Sequence, residues 1–259
     1  MKKIALAISL ATALAAGVYG QAGGSPPSVG HFQARYHGRS FAFHRWKLVT
    51  GEPYSATVSE QHTRTLANGT TISRSTTGEV ARDSSGRTYV KQTIEGGFLN
   101  SGNGPKTVIF ITDPVAGYSY MLNPAKNTAV RRQFREHRAR NRSNRPMRRP
   151  RGNNPNRAVA DLGTQTDASG LELQGKEVTR TIPAGAIGNS EPISSVTQTW
   201  YSPALQIVVR STRNDPRSGK STYTLTNISR QEPDSNLFTV PAGFTVKDAR
   251  QWRRDRRQR

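Results

Sequence analysis

Runs rich in Thr, Val and Ile, each broken by a small cluster containing Gly or Asn, set the strongest limit on what this chain can fold into. "SATVSEQHTRTL" ends at "ANG", "TTISRSTTGEVARD" at "SSG" and "RTYVKQTIE" at "GG". β-branched residues favour the pleated strand, and the clusters between them are hairpin-turn sequences. Asn68-Gly69 is the strongest turn signal, because both residues tolerate the positive φ of a two-residue type I′ turn. "KTVIFIT" then carries an unbroken apolar run, Val108 to Ile111, as a strand covered on both faces would. In "YSYML", Tyr118, Tyr120 and Leu122 share one face, and Ser119 and Met121 the other. Beyond Arg157 the pattern resumes in "LELQGKEVTRTI", "ISSVTQTWY", "LQIVVRST" and "KSTYTLTNI". Leu205, Ile207 and Val209 share a face there, and Tyr223 and Leu225 oppose Thr222, Thr224 and Thr226.

Connections such as "YSPAL" and "RNDPRSGK" are short, so successive strands should be antiparallel neighbours. The expected fold is mainly β, with about ten strands in one large antiparallel sheet. One or two helices could pack on it. His31–Val49 is the better helical candidate, weakened by Gly38, and "PDSNLF" suits a single turn capped by Asp234 or Ser235. An apolar content of 33% implies a thin core with one sheet face left wet. "RSTTGEVARDSSGRTYV" and "RSTRNDPRSGKSTYTL" echo one another, which re-use of the same turn chemistry explains without duplication.

The positive charge of +21 is concentrated. Residues 131–157 hold eleven arginines against Glu136, a balance of +10, and the last ten residues contribute +5. Pro146, Pro150 and Pro155, with Gly152, bar a stable helix from the later part of this stretch. The domain reading is therefore one β-rich domain formed by 53–130 and 158–247 together. A basic flexible insertion at 131–157 interrupts it and a basic tail at 248–259 follows. Split at the insertion, each half would have few apolar residues and be marginal alone.

The opening "MKKIALAISLATALAAGVYGQAGG" pairs Lys2 and Lys3 with an apolar run, Ile4 to Val18, and small residues before Gln21. This is the layout of a signal peptide over 1–20, followed by an N-terminal segment at 21–52. The run is shorter than the ~20 residues of a membrane-spanning helix, so the mature chain should be exported, periplasmic or secreted, with no transmembrane segment. With no cysteine anywhere, disulfides, thiol nucleophiles and thiolate metal sites are excluded.

The blocks "PYSATVSEQHTRTLANGTTISRSTTGEVARDSSGRT", "ITDPVAGYSYMLNPAKNTA" and "RTIPAGAIGNSEP…WYSPALQIVVRSTRNDPRSGKSTYTLTNI" resemble a family of uncharacterised secreted bacterial proteins. That family implies no catalytic residues. More distantly, the hairpins and the closing Leu237, Phe238, Val240, Pro241 and Phe244 are similar to outer-membrane lipoprotein carriers, the LolA/LolB-like half-barrels. The resemblance implies a curved sheet packed on helices and holding acyl chains.

Signals of catalysis are sparse. His31, His37 and His44 are spaced neither for a helical metal pair nor for strand alternation, and no acid lies among them; His62 and His137 stand apart. Asp83, Asp113, Asp161 and Asp215 sit where turns are expected, and turn capping accounts for each. No cofactor is expected and the reading is non-enzymatic. Two functions follow. In the first, the sheet holds an apolar ligand such as a lipid or lipoprotein acyl chain, lined by Tyr120, Trp200, Ile207, Val209, Tyr223 and Leu225. In the second, the arginines bind an anionic polymer or membrane surface through their guanidinium forks. Arg131, Arg132, Arg135, Arg138, Arg140, Arg142, Arg145, Arg148, Arg149 and Arg151 would carry it. Aromatic interleaving is confined to Phe134 and Trp252, which disfavours nucleic acid as the partner.

Overall fold

The computed structural model describes residues 48–95, 104–133, 154–249 and 251. The leader, most of the helix expected over His31–Val49, arginines 135–151 and most of the tail lie outside the described residues. Twelve strands follow in order: β1 (Tyr54–Thr65), β2 (Thr71–Arg82), β3 (Thr88–Glu95), β4 (Lys106–Asp113), β5 (Tyr118–Asn123) and β6 (Thr128–Gln133). Then come β7 (Arg157–Thr166), β8 (Glu172–Ile182), β9 (Ile193–Ser202), β10 (Ile207–Asp215), β11 (Gly219–Ser229) and β12 (Thr245–Asp248).

All twelve join one open sheet in the order β12-β6-β5-β4-β3-β2-β1-β11-β10-β9-β8-β7. The fold is mainly β, as the strand pattern predicts. Two meanders, β1–β6 and β7–β11, meet where β1 pairs with β11, placing Val58 opposite Leu225 and Glu60 opposite Tyr223. The strands before and after the arginine stretch therefore share one hydrogen-bonded ladder. Arg131 and Arg132 belong to β6, and Arg157 opens β7.

Three expectations need correction. The sheet is mixed, because β12 pairs parallel with β6. Twelve strands form rather than ten: β7 is exposed along almost its whole length and shows no alternation, and β12 has only 4 residues. The Asn68-Gly69 turn is not type I′. Gly69 has φ +81° while Asn68 is absent from the positive-φ residues, and Gly69 N donates to Leu66 O at 3.0 Å. Leu66 N bonds Thr70 O at 2.8 Å, which closes a three-residue loop with glycine in the left-handed position. The same ring of bonds recurs at Asp83–Arg87 and Asp167–Leu171. The second turn of the hairpin echo differs: at Asp215 it is Ser218 N that donates to Asp215 O, at 3.0 Å, and the positive φ falls on Gly219.

Two apolar clusters stabilise the sheet. Tyr54, Ala56, Val58, Val80, Tyr223 and Leu225 pack with Leu171, Leu173 and Leu205 and with Ile207, Val208 and Val209. A bulge between Val208 and Arg210 breaks the alternation, so three consecutive residues of β10 are buried. The second cluster joins Ala81, Tyr89, Ile111, Leu122 and Ala129 to Phe238, with Leu237, Val240 and Phe244 against it. Phe238 and Leu237 lie in the 3-10 turn Ser235–Phe238, where the Asp234 side chain accepts the Asn236 N–H at 2.9 Å. The expected single turn at "PDSNLF" is thus present, capped by Asp234, and it presses the closing segment onto β2–β6.

Arg82 ties the meanders together from inside. Buried to 4% exposure, it donates to Glu52 O at 3.0 and 2.7 Å and to Leu205 O at 2.6 Å. Its guanidinium lies 5.0 Å from the Tyr54 ring centroid, and burial pushes the Tyr54 phenol up to about 12. Replacing Arg82 with methionine strands the buried Leu205 carbonyl and the part-buried Glu52 carbonyl. We expect Arg82→Met to cost about 3 kcal/mol of stability, read from the urea midpoint; a loss under about 1 kcal/mol would remove this tie.

Candidate functional site

The aspartates are structural. Asp83, Asp113, Asp161, Asp167, Asp215 and Asp234 each accept a backbone N–H two to four residues on. This is the turn-capping role expected from the sequence for Asp83, Asp113 and Asp215; Asp161 lies instead within β7, where it accepts the Gly163 N–H at a bulge. Asp215, 1% exposed, takes Arg217 Nε at 3.1 Å, Arg217 Nη2 at 3.0 Å and Arg213 Nη2 at 2.8 Å. The Arg217 hydrogen bonds, opposed by burial and helped by Arg213, hold its carboxyl well below the usual carboxylate range. It lines a polar hollow of about 510 Å³ with Gln61, Thr63, Asn214 and Lys220, but its oxygens are already engaged.

A larger hollow of about 860 Å³ opens over β7, β8 and β9. The pairing shows how the strands build it. Tyr223 faces Ser211, Ser211 faces Thr199, Thr199 faces Lys176 and Lys176 faces Asp161, so these residues share the sheet face of Val58 and Leu225. On that face Val159 lies opposite Val178 and Gln174 opposite Tyr201, with Arg157 opposite Arg180 at one end. Val159 is 45% exposed and Tyr201 37% exposed. The lining is mixed: Val159, Val178 and the Tyr201 ring give apolar surface, Thr164, Gln174 and Thr199 lie among them, Arg157 and Lys176 supply cations and Asp161 an acid. On the reverse face the Trp200 ring covers Gly175, with Arg210 stacked at 5.2 Å, and any Cβ at 175 would collide with the indole. That packing backs the hollow with a rigid layer.

The residues expected to line an apolar site are dispersed. Ile207, Val209, Tyr223 and Leu225 are interior to the first cluster, at 1–4% exposure, and burial raises the Tyr223 phenol strongly. Tyr120 packs at the second cluster and Trp200 against the first. None of the six is in the lining of the β7–β9 hollow, where Tyr201, next to Trp200, stands instead. Trp200 and Tyr201 are neighbours on β9 and so lie on opposite faces, and choosing the larger ring selects the face away from the hollow. Of the ten arginines expected to bind anions, Arg131 and Arg132 are described, and Arg131 donates to Asp248 at 3.0 Å and lies 4.9 Å over Tyr118. Arg135, Arg138, Arg140, Arg142, Arg145, Arg148, Arg149 and Arg151 lie outside the described residues, as do His31, His37, His44 and His137.

No protein-family model and no curated protein matches the chain. Among solved structures, an uncharacterized conserved protein of Thermus thermophilus aligns over 76% of this chain and 90% of its own, at 10% identity and a TM-score of 0.40. The Pseudomonas aeruginosa MucA/MucB complex structure aligns over 76% of this chain and 58% of the matched chain, at 10% identity and a TM-score of 0.38. A LolA superfamily protein of Nitrosomonas europaea aligns over 74% and 92%, at 9% identity and a TM-score of 0.29.

Acid should probe the Asp215 lock directly. Its folded carboxyl is depressed, so its stabilisation is complete above the unfolded value near ~4 and lost as pH falls toward the folded value. Asp215→Asn should lower stability at neutral pH and flatten the decline below about pH 4, followed by urea unfolding across that range. An unchanged acid slope would contradict the assignment.

Proposed function

We propose that the protein is a non-enzymatic, exported envelope protein that holds an apolar, acyl-chain-like ligand in the β7–β9 hollow. The carrying observation is the hollow itself: a volume of about 860 Å³ where Val159, Val178 and Tyr201 lie beside two cations, Arg157 and Lys176, and one acid, Asp161. Ligand pockets typically occupy ~300–1,000 Å³ with mostly apolar walls and a few placed polar groups. Val159, Val178 and Tyr201 would contact the chain, and Lys176 with Arg157 would pair with a carboxylate or phosphate head. Export is supported by the residue pattern of Met1–Gly20. The non-enzymatic reading is supported by the aspartates, whose carboxylates hold turns.

A dansyl-labelled fatty acid tests the proposal by fluorescence titration. Tyr201→Ala and Val178→Ser should each weaken binding about tenfold, the equivalent of about 1.4 kcal/mol of lost apolar burial. Lys176→Glu should weaken the free acid while sparing its methyl ester. Binding that survives all three substitutions and disappears on deleting 134–153 would overturn the proposal and move the activity to the arginine stretch.

A further inference from the structure

β7 is a long, exposed strand at one end of the sheet. β7 ends the strand order, and among the described residues nothing pairs with its outer side. Thr181 N donates to Asn156 O at 3.0 Å, which marks that pair as hydrogen-bonded across β7 and β8. In an antiparallel ladder such pairs alternate with non-bonded ones. Ala158 and Ala160 therefore bond toward β8, while Val159 and Asp161 turn their backbone N–H and C=O groups outward. The Arg157 carbonyl also points out, and its N–H bonds Asn154 O at 2.9 Å. The opposite edge of the sheet, β12, has only 4 residues, whereas β7 offers 10. A long exposed edge strand is a template for another strand.

We infer that β7 joins two copies of this chain into a two-fold dimer by antiparallel β7–β7 pairing centred on Val159. The charge pattern selects the occupant and the register. With Val159 opposite its own copy, Arg157 falls opposite the second copy's Asp161, and Asp161 opposite its Arg157. Ala158 falls opposite Ala160. The register thus joins opposite charges twice, stacks valine on valine and matches small on small. The bonding groups agree with it: Val159 exchanges both backbone bonds with its copy, and each Asp161 N–H reaches the other chain's Arg157 C=O. The Asp161 carboxylate retains Oδ2 for the ion pair, since Oδ1 accepts the Gly163 N–H at 2.8 Å. A bulge between Asp161 and Gly163 then shifts the strand, limiting the pairing to its first half. This inference goes beyond the ligand reading and stands on the backbone edge, although Arg157, Val159 and Asp161 also line the hollow.

Sedimentation of the full mature chain at micromolar concentration, in salt sufficient to screen its net positive charge, tests it. The parent should be a dimer. Val159→Pro removes only an outward N–H, a change that edge strands tolerate, and should yield a folded monomer with an unchanged circular dichroism spectrum. Arg157→Glu and Asp161→Arg each place like charges together and should weaken dimerisation about tenfold. Mixing those two variants restores both opposite pairs and should recover a dimer of near-parental affinity. A monomeric parent, a Val159→Pro variant as dimeric as the parent, or a mixture no tighter than its components would overturn the inference.

Discussion

The pairing of β1 with β11 is the constraint on which the molecule depends. Among the described residues it is the one strand pairing between the β1–β6 and β7–β11 meanders, and the larger apolar cluster is built across it. Val58 and Leu225 meet across it, and the first apolar cluster draws on both sides: Tyr54, Ala56 and Val80 from one, Leu173, Ile207 and Tyr223 from the other. Arg82 adds a charge-assisted bond from β2 to the Leu205 carbonyl in the β9–β10 turn. A buried guanidinium is costly unless its donors are used, so this contact specifies the joint as well as stabilising it.

Around that joint the apolar material is unevenly spent. The closing segment around Phe238 buries the β2–β6 end, and leucines from the hairpin ends join the core at the joint. The β7–β9 end gives Leu171, Leu173 and Trp200 to that cluster, while β7 itself stays exposed almost throughout. A limited supply of apolar residues goes with an accessible hollow and, among the described residues, an unpaired edge at the same end of the sheet. Both proposed activities are located there for that reason.

Much of the fold was legible because hairpin chemistry is local. Thr- and Val-rich runs, glycines at turn ends and aspartates two to four residues before an N–H reveal strands and turns without tertiary knowledge. The Tyr223–Leu225 alternation marked its buried face correctly. What escaped was non-local: β7 lacks periodicity because neither face is buried, and β12 exists only because β6 accepts it in parallel. The Asn68-Gly69 loop carries an extra residue that composition does not reveal. The site was less legible than the fold. Large apolar residues such as Ile207 and Leu225 are the ones that a core claims first, so choosing ligand-lining residues by hydrophobicity selects the interior. The residues at the hollow are smaller or amphipathic: Val159, Val178, Lys176 and Tyr201.

Native-state amide exchange, followed with increasing denaturant, tests the claim of one joined sheet most directly. The outcome consistent with the structure is a shared opening free energy for core amides of β2, β1, β11 and β10, all exchanging through a single global unfolding with the same denaturant dependence. Amides of β8–β11 that open at a distinctly lower free energy, while β1–β4 remain protected, would show two independently folding units and contradict it.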